Sequence, residues 1–184
     1  MAKQEGYRSR SAYKLIQLNN SYHFLKFNDI VIDVGCAPGG WLQVTRKEIG
    51  VGGKVIGIDL KEVFPIKDVI TLRGDIEDQI LVDQLCKILK SKADVLLSDL
   101  APNVSGIWDI DQFRQISLTK SAFHVAKKVL RKGGKCVFKV FEGNCLKELK
   151  DELKLYFDKI YLSKPNASRH VSSELYIICF NFLY

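Results

Sequence analysis

The five cysteines, Cys36, Cys86, Cys136, Cys145 and Cys179, form no C-x-x-C pair and no zinc-like grouping, so a structural zinc site is not indicated. An odd count without a pattern fits a reducing compartment. Cys136 and Cys179 lie in apolar, strand-like runs and read as reduced core residues. No apolar run approaches the length of a membrane span, which argues against a membrane partner. The start, Met1-Ala-Lys-Gln-Glu-Gly6, is polar and unlike a signal peptide. The expectation is a cytoplasmic protein, with an organellar form cut from a longer precursor as the alternative. Repeats, linkers and low-complexity tracts are also missing. At 184 residues the simplest organisation is a single domain over 1–184 with a substantial core. No apolar surface stripe stands out, so a monomer is expected.

Acidic residues are in deficit, 21 against 28 Lys plus Arg, for a net charge of +7. That balance favours a polyanionic partner, although a merely soluble basic protein would show it too. Hydrophobic content of 47% with 27% charged residues is ordinary globular composition.

The most informative stretch is Ile30-Val-Ile-Asp-Val-Gly-Cys-Ala-Pro-Gly-Gly-Trp41. An apolar β-branched run opens it and reads as a buried strand. A turn with Asp33, Gly35, Pro38, Gly39 and Gly40 follows, and then a helix over 41–49. Strand, glycine-rich turn and helix make the usual nucleotide-cofactor opening of an α/β sheet. The glycines are not spaced G-x-G-x-x-G, which disfavours a nicotinamide or flavin dinucleotide. Gly50-Val-Gly-Gly-Lys54 imitates a P-loop, but Val55 stands where Ser or Thr should bind magnesium. An acid ahead of G-x-x-x-G-G is closer to a site for S-adenosylmethionine (AdoMet).

Along the chain, 7–18 reads as a basic helical segment that Ser9 or Ser11 caps. Ala12, Leu15, Ile16 and Asn19 share its docking face, and 1–20 would contribute to a site. Strands are expected at 54–59, 69–73, 94–102, 135–141, 160–162 and 175–183. A helix over 79–89 would bury Ile80, Leu81, Leu85, Ile88 and Leu89. A long helix over 112–130 would stop at Gly133-Gly134, with Lys127, Lys128, Arg131 and Lys132 at its carboxyl end. An amphipathic helix over 145–157 follows. This alternation predicts an α/β fold with a mostly parallel sheet of seven strands, helices on both faces and an antiparallel edge.

Asp33, Asp59, Asp75 and Asp99 all fall at or just past strand ends, where such sheets hold ligands. Any one acid is explained by turn chemistry. Four at successive strand ends are not. Asp59 is placed for ribose hydroxyls and Asp75 for an adenine amino group, and a carboxylate stabilises a nearby sulfonium. Lys139, inside Val137-Phe-Lys-Val-Phe141, is a lysine among bulky apolar neighbours, a position rarely taken without a partner. Desolvation and a nearby cation would lower its pKa, and carboxylates would raise it. Glu174, opening an apolar strand, reads equally well as a site residue or a solvated strand end.

With these residues in view, the chain resembles the FtsJ (heat-shock) family of ribosomal RNA ribose 2′-O-methyltransferases from Tyr7 to about Phe182. Arg8-Ser-Arg-Ser-Ala-Tyr-Lys-Leu15, the glycine turn, Leu97-Ser-Asp-Leu-Ala-Pro-Asn103, Phe138-Lys-Val-Phe-Glu-Gly143, Lys164-Pro-Asn-Ala-Ser-Arg169 and Ser173-Glu-Leu-Tyr-Ile177 are similar to the family's motifs, in order. Cys36, Trp108 and Glu142, the last where Gln would be expected, depart from the pattern. The resemblance implies a Rossmann-like class I AdoMet-dependent methyltransferase with S-adenosylhomocysteine as product and no metal requirement. It implies a catalytic tetrad of Lys14, Asp99, Lys139 and Glu174, and cofactor contacts at Gly39, Trp41, Asp59, Asp75 and Asp99. Its implied substrate is a uridine of large-subunit ribosomal RNA, held through phosphates by Arg8, Arg10, Lys14, Lys164 and Arg169. The alternatives are the same chemistry on a tRNA anticodon loop or mRNA cap, a small-molecule methyltransferase, and a non-catalytic RNA-binding or ribosome-assembly protein on the same fold.

Overall fold

The run beginning at Ile30 forms β1 (Ile30–Val34), buried on both faces as a central parallel strand should be. The computed structural model describes residues 5–168 and 173–184. The other strands are β2 (Lys54–Asp59), β3 (Val69–Arg73), β4 (Ala93–Ser98), β5 (Leu130–Phe141), β6 (Phe157–Ser163) and β7 (Glu174–Phe182). They form one sheet in the order β3-β2-β1-β4-β5-β7-β6. The first five pair in parallel. The expected antiparallel edge is the β6–β7 pair, with β7 inserted against β5 and running opposite to both neighbours.

Among the described residues five helices cover the two faces: α1 (Ser11–Tyr22), α2 (Gly40–Ile49), α3 (Gln79–Leu89), α4 (Trp108–Val129) and α5 (Leu146–Lys154). Side chains alternate along each strand, so the sheet feeds two cores. On one face Ile32, Val34, Phe138 and Val140 pack under α3, α4 and α5, around Phe123 and Leu149. On the other face Val31, Val137 and Ile178 pack under α1 and α2, around Leu15, Leu18 and Leu42. Asp33, Lys139 and Tyr176 follow the alternation of this second face, so Asp33 and Lys139, both expected at the site, share one side of the sheet with Tyr176.

Four local expectations are corrected. Neither Ser9 nor Ser11 caps α1. The two hydroxyls lie 2.8 Å apart on each other, and Arg10 holds the N-cap position without a side-chain bond. Ile80 is 69% exposed, because α3 rests on the sheet through Leu81, Val82, Leu85 and Leu89. The long helix begins at Trp108, four residues before Gln112. Finally, Gly133-Gly134 does not stop α4. The helix ends at Val129 and β5 begins at once. Leu130 pairs with Ala93 and Lys135 with Val95, so the chain between them bulges out. Gly133 takes φ +77, and a Cβ on Gly134 would lie 2.8 Å from the Arg131 carbonyl, so the glycines serve the bulge. Arg131 and Lys132 therefore belong to the strand, and only Lys127 and Lys128 occupy the helix's last turn.

Gly57 sets how closely α2 approaches β2, since a Cβ there would lie 2.7 Å from Cys36 Sγ and 3.0 Å from Leu42. Gly57→Ala should lower the unfolding free energy by roughly 1–3 kcal/mol through overpacking. Urea denaturation should show the loss as a lower midpoint with an unchanged slope.

Candidate active site

The strand order reverses between β1 and β4, and the crevice at their carboxyl ends is where open α/β sheets hold ligands. Gly35 takes φ +76, and its amide donates 2.8 Å to the Ile58 carbonyl. Gly39 takes φ +108 at the N-cap of α2, and Pro38 before it is exposed. Gly40 begins α2, where a Cβ would overlap the Ser9 hydroxyl. The turn thus brings bare backbone to the crevice.

The acids occupy the strand ends in different ways. Asp59 accepts from the Ala37 amide at 2.8 Å and the Lys61 amide at 2.8 Å, so it braces the glycine turn from β2. Asp75 is exposed and accepts from the Glu77 amide at 2.9 Å, an Asx turn of the kind Asp forms by itself. Asp33 is fully buried, and neither carboxyl oxygen has a hydrogen-bond partner among the described residues. Burial first, then the Asp99 and Asp59 carboxylates, push its carboxyl well above the usual range. Trp41 is buried, donates its indole N–H 2.9 Å to the Ser11 carbonyl and packs 5.8 Å from the Tyr176 ring. Its ring ties α2 to α1 and to β7.

Beside these acids the four residues expected to form a tetrad make two ion pairs. Lys139, 5% exposed on β5, lies 3.2 Å from Asp99 Oδ1 and donates 2.7 Å to the Asp99 carbonyl. Lys14, on α1, lies 2.6 Å from Glu174 Oε2. Tyr176 joins the first of these pairs. It stands opposite Lys139 in the β5–β7 register and donates 2.9 Å to Asp99 Oδ1. Burial and the Asp99 and Glu174 carboxylates hold its phenol well above its ordinary pKa, so it remains a donor. From the opposite face, Gln115 Nε2 donates to the Lys139 carbonyl at 2.9 Å and the Leu100 carbonyl at 3.2 Å. The Thr119 hydroxyl lies 3.2 Å from the Lys139 carbonyl. Gln115, Thr119 and the bonding role of Tyr176 escaped the sequence reading. The available signal was a run of polar residues, Asp111, Gln112, Gln115 and Thr119, on the buried side of a helix.

The five residues expected to hold RNA separate. Lys14 is paired with Glu174, and Arg10 and Lys164 are exposed. Arg169 lies outside the described residues. Arg8 is turned inward: its guanidinium donates to the carbonyls of Phe64 at 2.6 Å, Pro65 at 2.9 Å and Pro38 at 3.3 Å. That guanidinium is committed to clamping the glycine turn against 64–65. The loop bearing Lys164 docks on α1, where the Ala167 amide donates 2.9 Å to Gln17.

A glycine-lined crevice flanked by acids at the strand ends, one of them fully buried, with an apposed pair of lysine–carboxylate contacts, defines an AdoMet-dependent methyltransferase on a Rossmann-like sheet. The model of the FtsJ-like methyltransferase family matches residues 7–182, and the chain belongs to that family. It is 46% identical to "Ribosomal RNA large subunit methyltransferase E" of Nitrosopumilus maritimus, over 100% of this chain and 93% of the relative. It is 45% identical to the protein of that name from Methanothrix thermoacetophila, over 96% of this chain and 69% of the relative. A Plasmodium falciparum crystal structure named as a ribosomal RNA methyltransferase superposes with TM-score 0.87 at 37% identity, covering 96% of this chain and 99% of its own. Aeropyrum pernix fibrillarin with natively bound AdoMet shares the fold at TM-score 0.62 and 16% identity, over 94% of this chain and 75% of its own.

The crevice suits that cofactor. A sulfonium is a compact cation, and the unpartnered Asp33 carboxyl beside Asp59 and Asp99 gives an electronegative site that a cation relieves. The same burial has a stability signature. Asp33's folded pKa is raised, so its contribution is fully favourable below the unfolded carboxyl value and is lost as pH rises through the folded one. Asp33→Asn without cofactor should therefore melt several degrees above wild type at pH 8, with the gap closing towards pH 4. Thermal melts across that range check it.

Proposed function

We propose that this chain methylates a ribose 2′-hydroxyl of large-subunit ribosomal RNA, on a uridine, with Lys14, Asp99, Lys139 and Glu174 as the catalytic set. The observation that carries the reading is the placing of the Lys139–Asp99 and Lys14–Glu174 pairs side by side at the β5–β7 strand ends by the cofactor crevice, with Tyr176 bonded to Asp99. The names of the relatives in archaea support the substrate. On this reading the enzyme works as a cytoplasmic monomer, on RNA within the large ribosomal subunit.

Bound AdoMet supplies an electrophilic methyl carbon, so the protein's task is to align a hydroxyl behind the methyl–sulfur bond and to handle its proton. Asp33, Gly35, Pro38, Gly39, Gly40, Trp41, Asp59, Asp75 and Asp99 form the cofactor side. Gly35, Gly39 and Gly40 give close backbone approach, Asp59 and Asp75 offer acceptors to the nucleoside, and Trp41 fixes the helix behind the turn. Two of the three donor positions on Lys139 Nζ are committed to Asp99. The third position faces the 2′-hydroxyl: the ammonium form orients it, and the neutral amine form, with a lone pair there, takes its proton as the methyl–oxygen bond forms and the methyl–sulfur bond breaks. Lys14 and Glu174 hold the ribose in place. Arg10, Lys164 and Arg169 hold phosphates, while Arg8 acts indirectly by fixing the turn.

Lys139→Met keeps apolar bulk and removes the nitrogen. It should bind AdoMet as wild type does and lose at least about 100-fold in methyl transfer. The measurement is transfer of labelled methyl to large subunits, free ribosomal RNA and tRNA, with the product mapped to a ribose. Full-rate transfer by the variant would refute the role of Lys139, and label confined to tRNA would replace the substrate.

RNA affinity should fall steeply with salt. Each phosphate contact to single-stranded RNA contributes about 0.7 to the slope of log affinity against log salt. Lys164→Ala should flatten the slope by about that amount, whereas Arg8→Ala should instead weaken AdoMet binding. Filter binding over a salt series and calorimetry with AdoMet separate the two effects.

A further inference from the structure

Trp108 opens α4 with its ring stacked on Phe141, centroids 5.9 Å apart and planes at 22°. Phe141 ends β5 and pairs in register with Glu174, so this stack adjoins the tetrad. Trp108 is nevertheless 45% exposed, and Val104, Ile107 and Phe113 beside it in the chain are 72%, 57% and 70% exposed. A concentration of apolar surface like this marks an interaction site. The surface is preformed. The Asp111 carboxylate, 5% exposed, accepts from the Ser105 amide at 2.7 Å, the Ser105 hydroxyl at 2.9 Å and the Gly106 amide at 3.1 Å. Arg114 adds a bond of 3.2 Å to the Asn103 carbonyl. The loop 102–107 is thereby fixed, Trp108 is buttressed by Phe141, and part of the indole stays open beside the catalytic edge. Trp108 is also one of the departures from the family pattern, so the family's motifs leave its role unassigned.

We propose that the Trp108–Phe141 stack is a platform on which an unpaired RNA base next to the methylated ribose is stacked. This rests on the reading of the chain as an RNA ribose methyltransferase. The chemistry favours a single-stranded base, because an aromatic plane offers π-contact to any base once it leaves a helix. Continuity with Glu174 places that base within a nucleotide or so of the reacting ribose. Trp108 is a positioning residue: it holds the RNA and does not touch the methyl group.

The chain's two tryptophans make the test direct, because Trp41 is 2% exposed and Trp108 is open. Titration with a short single-stranded oligouridylate should quench emission of the wild type and leave Trp108→Phe unquenched. In methyl transfer, Trp108→Leu should raise KM for ribosomal RNA about tenfold, the scale of one stacked base, with kcat and AdoMet affinity little changed. Trp108→Phe should restore KM towards wild type. Wild-type emission insensitive to the oligonucleotide, an unchanged KM in Trp108→Leu, or a Phe variant as impaired as the Leu variant would each overturn the platform. Quenching by intact large subunits but not by the oligonucleotide would assign the patch to a protein surface and overturn it as well. The quenching arm needs no turnover, so a wrong methylation substrate and a wrong platform give different results.

Discussion

The amino group of Lys139 is almost removed from water, and an uncompensated charge there would cost several kcal/mol. Much of the candidate site answers that constraint. The turn after β4 presents both the carbonyl and the carboxylate of Asp99 to the nitrogen. Tyr176 can reach the same carboxylate because β7 returns antiparallel to β5, which sets it opposite Lys139. The same register puts Glu174 at the rim, where α1 delivers Lys14 to it. Behind the sheet, Gln115 and Thr119 hold the Lys139 carbonyl, so the strand end is pinned from both faces. A lysine fixed this way has few rotamers to lose on binding substrate.

Charge is managed differently a few residues away. Asp33, Asp59 and Asp99 converge with their repulsion only partly answered, and burial makes Asp33 the least comfortable of them. A cationic cofactor is the natural complement. The excess of basic residues does not all serve RNA. Arg8 ties three carbonyls near the glycine turn, Arg46 donates to the carbonyls of Gly53 and Asp68, and Lys135 to that of Phe24. A net charge of +7 thus overstates the surface free to meet phosphate.

Periodicity and chemistry carried much of the fold. The glycine turn between β1 and α2, the bounds of α3 and the positions of β2 and β3 were all legible, because each is set by local signals: a strand-ending acid, a glycine turn, a 3.6-residue apolar repeat. The failures have local causes too. Gly133-Gly134 looks like a helix stop but serves a strand bulge, since the same residue satisfies either backbone requirement. Ile80 belongs to an apolar helix face yet lies beyond the edge of what the sheet covers. Arg8 sits among basic residues in sequence, and only the return of 64–65 to the glycine turn gives its guanidinium carbonyls to bind.

The sequence by itself determined the order of strands and helices along the chain, the glycine turn and the placing of acids at strand ends, since each depends on residue type and short spacing; Lys14, Asp99, Lys139 and Glu174 were picked out together through the ordered motifs that resemble a family. Only tertiary structure decided which acid meets which lysine, because Lys14 and Glu174 are 160 residues apart and meet only through the β5–β7 register and the docking of α1. It also decided that Tyr176 bonds the carboxylate of Asp99, that Arg8 is a clamp, and that Trp108 leans on Phe141 beside the site. These are contacts between distant segments, and their energies depend on burial and geometry that no local pattern encodes.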